Sequence, residues 1–318
     1  MCLYPKLIRN KKYYPTRKNN YNPPLITDIR VGYVAVGCGN CIECKKQKAR
    51  EWKIRLSEEI KVNKYAYFVT LTFSNEELNK LCEETKLNEC NAVAGKAIRR
   101  FLERWRKKHK KSLKHWLITE LGHDNTERIH IHGLIFSEIQ LSKQILEDFW
   151  KYGIIYVGEY CNEKTINYIT KYITKIDNDH KNFKGDIFCS AGIGKNYLER
   201  PLIKQTHQFK GEKTIEFYRT STGHKIALPI YYRNKLFTEE QREQLWVNRI
   251  EEGKRYVMGV EIDKINTDEG ESKYQRLLRK AREDNLQLGF GDDGKEWKEK
   301  DYNVTLRMLN RYNKRKNQ

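Results

Sequence analysis

Residues 127–136 read ERIHIHGLIF, and their alternation sets the fold class. From Ile129 onward the odd positions Ile129, Ile131 and Gly133 share one side. The even positions His130, His132 and Leu134 share the other. Period-two alternation of this kind predicts a β-strand with one face in a core. Residues 114–121, KHWLITEL, predict a second strand, and the polar GHDNTE between the two predicts a turn. The result is an antiparallel hairpin. If it centres on Asn125, Glu120 falls opposite His130, and paired residues have Cβ atoms about 5 Å apart on one face. Two imidazoles and a carboxylate then share one patch of sheet.

Outward from the hairpin, YAYFVTLTF at 65–73 predicts another strand of aromatic and β-branched residues. SNEEL follows with Ser74 as N-cap and Glu77 three positions on. Residues 91–110 predict a long helix whose apolar face is Val93, Ala97, Ile98, Phe101, Leu102 and Trp105. Arg99, Arg100, Arg104 and Lys107 surround that face as candidate DNA-binding cations. SKQILEDFWKYG predicts a helix stopped by Gly153, IIYVGEY a strand, and 162–176 a helix capped by Asn162. The order strand, helix, strand, strand, helix, strand, helix implies an α+β domain, an antiparallel β-sheet with packed helices.

Three segments follow: 1–62, with clustered cysteines and a basic helix striped by Trp52, Leu56 and Ile60; 63–180, the core; and 181–318, a basic and mainly helical C-terminal extension. In the extension, Thr238 caps a helix. The last fifty positions predict two amphipathic helices and a basic tail, NRYNKRKNQ.

The chain has 318 residues, 62 Lys and Arg against 42 Asp and Glu, and 20 Tyr. A formal charge of +20 combined with many aromatic rings points to a nucleic-acid partner, through phosphate neutralisation and base stacking. A merely solubilising charged surface is the alternative. Neither a signal peptide nor a bilayer-length apolar run is read from the sequence, so the expected location is cytoplasmic, with no membrane partner.

The His-x-His pair suits a divalent transition metal, with Glu120 as third ligand and Glu127 as a rival carboxylate. Two polar residues on a solvent-facing strand would give the same pattern. NYITKYITK places Tyr168 and Tyr172 four apart on one helix face, flanking an isoleucine stripe at 166, 169, 173 and 176. Tyr hydroxyls act as nucleophiles once activated. Lys171 and Lys175 lie beside them, as cations that favour phosphate binding and the phenolate form.

HIH and YITKYITK resemble the motifs of HUH endonucleases, and YFVTLTF resembles their preceding strand. MCLYPKLIRN, GCGNCIECKKQKAREWKIRL, HIHGLIF, NYITKYITK and GIGKNYL together resemble the replication initiators of microviruses, especially the gokushovirus branch. The resemblance runs from residue 1 to about 200 and is looser beyond. It implies an HUH-type core with the histidines on a central strand, and Mg2+ or Mn2+ held by His130 and His132. It also implies Tyr168 and Tyr172 as alternating nucleophiles that nick the replicative-form DNA at a phage origin. Such a nick leaves a 5′-phosphotyrosine and a 3′-hydroxyl for rolling-circle synthesis. A plasmid initiator, relaxase or transposase would share this chemistry. A non-enzymatic zinc-containing nucleic-acid-binding protein is a reading from a different class.

No G-x-x-x-x-G-K-[ST] loop is present, because in AGIGKN the place of the first glycine is taken by Cys189. Unwinding would then fall to a host helicase, and synthesis to a host polymerase. Cys38, Cys41 and Cys44 follow a C-x2-C-x2-C spacing and, with Cys2 from the MCLYP start, are candidate ligands for a structural Zn2+. Three packed thiols are the alternative.

Overall fold

The computed structural model describes residues 2–122, 128–158, 160–176, 183–263, 267–291 and 307. The expected turn centre Asn125, the rival carboxylate Glu127 and the basic tail at 310–318 lie outside the described residues. The chain divides into two compact units, 1–48 with 204–318 and 49–203. No helix among the described residues is long and apolar enough to cross a membrane.

The first unit opens with strand β1 (Lys6–Arg9), which pairs antiparallel with β2 (Tyr33–Val36). The sequence showed no strand here, because the partners are far apart and each is only four residues long. Helix α1 (Ile42–Ile60) begins just after the last cysteine-flanked turn, and the unit boundary falls inside it.

The second unit is an α+β domain. Its elements are β3 (Tyr65–Leu71), α2 (Asn75–Thr85), α3 (Cys90–His109), β4 (Lys114–Leu121), β5 (Ile129–Ser137), α4 (Lys143–Trp150), β6 (Ile155–Gly158), α5 (Glu163–Thr174), β7 (Ile187–Cys189), α6 (Asn196–Glu199) and the start of α7 (Pro201–Thr206). The sheet runs β6-β3-β5-β4-β7, antiparallel throughout, with β5 at its centre. Strand β7 escaped the sequence reading because three residues carry no periodicity.

The strand expected to be half-buried is covered on both faces, a correction with a clear cause. Ile131, Ile135, Leu117 and Val69 pack under α3 and α4 with Phe101 and Trp150. On the opposite face, Leu134, Phe136, Trp116 and Ile118 pack under Leu56 of α1 and the isoleucines of α5. Each large apolar side chain so buried contributes about 1.5–3 kcal/mol. At Gly133 on β5, a Cβ would lie 2.1 Å from the carbonyl oxygen of Trp116, so only glycine fits at that crossing.

Helix α4 ends earlier than expected. Lys151 takes the left-handed C-cap conformation at φ 61°. Gly153 serves another purpose: a Cβ there would lie 2.6 Å from the carbonyl oxygen of Thr72.

Helix α1 buries two carboxylates that looked like surface charge. Glu59 receives the amide of Gly194 at 2.7 Å and pairs with Lys114, while Glu58 pairs with Lys61 at 2.7 Å and with Arg200. The glycine-rich GIGKNYL segment therefore closes on Glu59 inside the domain.

The remainder of the first unit holds the hairpin β8 (Phe217–Arg219) and β9 (Lys225–Ala227), then α8 (Ile230–Leu236) and α9 (Glu239–Glu251). The hairpin β10 (Arg255–Val257) and β11 (Val260–Ile262) and α10 (Asp268–Gln287) complete it. Thr238 caps α9 as expected, in a full capping box with Gln241. Of the two helices expected near the C-terminus, α10 is described.

Candidate functional site

Strands β4 and β5 pair with Glu120 opposite His130, Ile118 opposite His132 and Thr119 opposite Ile131. Glu120, His130 and His132 therefore occupy one face of the sheet, as their spacing implied. Nε2 of His132 lies 2.9 Å from a carboxylate oxygen of Glu120. That nitrogen is buried without a well-directed hydrogen bond, so the approach is close but misaligned. Its other nitrogen, Nδ1, lies 3.0 Å from the hydroxyl of Thr70 on β3, the residue paired with His132. The His130 ring stands edge-on to that of His132, with centroids 6.3 Å apart. Gly122 leaves room for it, since a Cβ there would come within 2.9 Å of the His130 ring.

The donors fit a divalent cation in chemistry: two imidazoles, a carboxylate and an unpartnered buried nitrogen facing that carboxylate. His132 and Glu120 already meet, whereas His130 stands apart from them. Burial raises the Glu120 pKa, but His132 and Lys175 outweigh it and hold the carboxyl below its ordinary range. Burial, helped by His132, pulls the His130 imidazole below its usual value and favours the neutral, ligand-competent form.

Helix α5 lies over this face. The side chain of Asn162 accepts from the amides of Lys164 and Thr165 and starts the helix. Ile166, Ile169 and Ile173 enter the core, while Ile176 falls beyond the helix end. The tyrosines sit beside that stripe. The Tyr172 ring stacks on the His132 ring, with centroids 4.5 Å apart and planes 3° from parallel. The Tyr172 hydroxyl donates to the Tyr168 hydroxyl at 2.8 Å. Tyr168 is 49% exposed and packs edge-on against Phe68 at 5.7 Å.

One electrostatic expectation is reversed. Flanking ammonium groups were expected to favour the phenolate. At Tyr172, burial, the Tyr168 hydroxyl and the Glu120 carboxylate push the pKa above its ordinary value instead. Lys175 is spent on Glu120, with which it forms an ion pair.

Lys171 projects from the exposed side of α5. The cations of α3 lie with the opposite layer. Arg104 binds the carbonyls of Phe149 and Trp150, each at 2.7 Å, and so caps the C-terminus of α4. Arg100 pairs with Glu84 at 2.6 Å, while Arg99 and Lys107 are exposed. The sheet separates these four from the tyrosines. Sequence reading missed Thr70 and Phe68, which β3 brings to the histidine face. The alternation of YFVTLTF carried the signal: positions 68 and 70 share a parity, and pairing with β5 puts that parity beside His132.

In the first unit, Cys2, Cys38, Cys41 and Cys44 come together with all four sulfurs within 4.8 Å of one another. They could hold a structural metal. Cys82, Cys90, Cys161 and Cys189 take no part in that cluster.

Comparison with known proteins picks out the same region. Residues 66–177 match the model of the Replication-associated protein ORF2 family. That span runs from β3 to just past α5 and contains Glu120, His130, His132, Tyr168 and Tyr172. The chain is also similar to the Replication-associated protein ORF2 of Spiroplasma virus 4. The two are 25% identical over 272 residues, covering 76% of this chain and 82% of that protein. No solved structure matches the chain. These similarities support a role in phage replication.

Proposed function

We propose that the chain is a DNA-nicking and strand-joining enzyme that initiates rolling-circle replication of a phage genome. The observation that carries this reading is the stacking of Tyr172 on His132, which sets a two-tyrosine helix directly over the His-Glu face.

His130, His132 and Glu120 would hold one Mg2+ or Mn2+. The bound ion would offset charge on the scissile phosphate. Tyr168 or Tyr172 attacks phosphorus through its hydroxyl oxygen. A tyrosine O–P bond forms, the P–O3′ bond breaks, and the leaving oxygen takes a proton to become a 3′-hydroxyl. One tyrosine then carries the 5′ end of the strand. Their contact at 2.8 Å lets the second tyrosine stand at the same place when the origin is regenerated. The free 3′-hydroxyl of that second cut attacks the first phosphotyrosine and closes the circle.

Lys175 screens Glu120, and Lys171, on the exposed side, meets the DNA backbone. The net charge of +20 supports binding to single-stranded and replicative-form DNA at an origin. Similarity to a viral protein favours a phage replicon over a plasmid or transposon. We place the protein in the host bacterial cytoplasm, where a host helicase and polymerase extend from the nick.

The test is cleavage of the single-stranded DNA of the parent replicon in Mn2+, read on a denaturing gel. Wild type should give discrete products and His130→Ala should give none. Cleavage by His130→Ala at the wild-type rate would overturn the metal assignment.

A further inference from the structure

We propose that Cys2, Cys38, Cys41 and Cys44 bind one zinc ion as a tetrathiolate, and that this ion ties the N-terminus to α1 and α10. The geometry carries the argument. A tetrahedral site with Zn–S bonds of about 2.3 Å places its sulfurs about 3.8 Å apart. Cys38 and Cys44 sulfurs are 3.9 Å apart, as are those of Cys2 and Cys41. All four lie within 4.8 Å of one another. Binding converts four thiols and Zn2+ into a tetrathiolate carrying two negative charges, with release of four protons.

The surroundings suit that charge. Four backbone amides point at the sulfurs. Cys38 and Tyr4 donate to Cys2 at 3.1 and 3.3 Å, Cys41 donates to Cys38 at 3.3 Å, and Leu3 donates to Cys41 at 3.5 Å. Cys44 lies in the first turn of α1, at the positive end of the helix dipole. The loop is shaped for the cluster as well. A Cβ on Gly37 would come within 3.0 Å of the Cys44 sulfur, and Gly39 takes φ +81° between the first two ligands of the loop.

Helix α10 completes the node. Asn285, fully buried, accepts the amide of Ile42 at 2.8 Å, one of the orphan donors at the start of α1. Arg282 donates to the carbonyl of Leu3 at 2.9 Å, and its guanidinium lies over the Tyr4 ring at 5.3 Å. Cys2 is thus fixed between a metal ligand set on α1 and a clasp on α10. This inference is independent of the nickase reading and fails or holds separately from it.

The experiment is elemental analysis of the purified full chain by mass spectrometry, on wild type and His130→Ala. Both should carry one zinc per chain. Zinc present in wild type but lost in His130→Ala would place the ion at the histidines and overturn the proposal, as would iron in place of zinc or no bound metal. A second readout does not depend on a variant folding. After chelation, amide hydrogen exchange should accelerate in residues 2–9, 33–44 and 282–290, with the strands of the five-stranded sheet unchanged. Equal exchange with and without chelator at the first three segments would overturn the tie.

Discussion

Thr70→Val should weaken divalent-ion binding at the histidine face about tenfold while leaving the fold intact. If Nε2 of His132 is to offer its lone pair beside Glu120, the ring proton must sit on Nδ1. In the structure Nδ1 has one partner, the Thr70 hydroxyl at 3.0 Å, which then accepts from it. Valine has nearly the same shape and keeps the β-branched preference of the strand. The change therefore removes the hydrogen bond and little else, at a stability cost of about 1 kcal/mol. Loss of an outer partner of a metal-binding imidazole typically costs 10–100-fold in affinity, about 1.4–2.8 kcal/mol. The low end applies here, because the Tyr172 ring stacked at 4.5 Å continues to hold the imidazole plane. The assay is titration with Mn2+, following the free-ion signal by electron paramagnetic resonance. Unchanged affinity in Thr70→Val, together with lost affinity in His132→Ala, would refute the tautomer argument. Unchanged affinity in both would remove the site.

Gly133→Ala should abolish soluble expression or lower the melting temperature sharply, since its Cβ meets the backbone of Trp116 and Leu117 rather than a movable side-chain tip. A wild-type melting temperature would contradict the crossing described for β5. Glu59→Gln should destabilise the protein by about 1–3 kcal/mol in chemical denaturation, because the buried ion pair with Lys114 is lost while the Gly194 amide keeps an acceptor. No change would mean that the pair contributes nothing net. The His115 pKa is depressed by burial below its ordinary 6.5, only partly offset by the Leu113 carbonyl. Between the folded and unfolded values the unfolded chain binds more protons, so stability is lost as pH falls below about 6.5. His115→Gln should flatten that slope in melting temperature, and an unaltered slope would assign the effect to other groups.

Local rules accounted for much of the site. Hairpin arithmetic alone placed Glu120 against His130, because a strand pair joined by a short turn leaves little freedom in register. The isoleucine period set the inward face of α5, and with it the side on which Tyr168 and Tyr172 lie. Asn162 and Thr238 marked helix starts through side-chain capping, which acts within three residues. What escaped depends on residues distant in sequence. The pairing of β1 with β2, the addition of β7 at the sheet edge, and the burial of Glu58 and Glu59 all rest on partners from far along the chain. The same holds for Thr70, whose role exists only because β3 pairs with β5. The reversed expectation at Tyr172 has a similar origin, since Lys175 is engaged by Glu120 from another strand.

The most direct test of the central claim is to trap the covalent protein–DNA species formed in Mn2+ and map its attachment by peptide mass spectrometry. The account predicts a nucleotide on Tyr168 or Tyr172, and no adduct from the Tyr168→Phe/Tyr172→Phe protein. An adduct that persists in the double variant, or its absence from wild type that cleaves DNA, would contradict it.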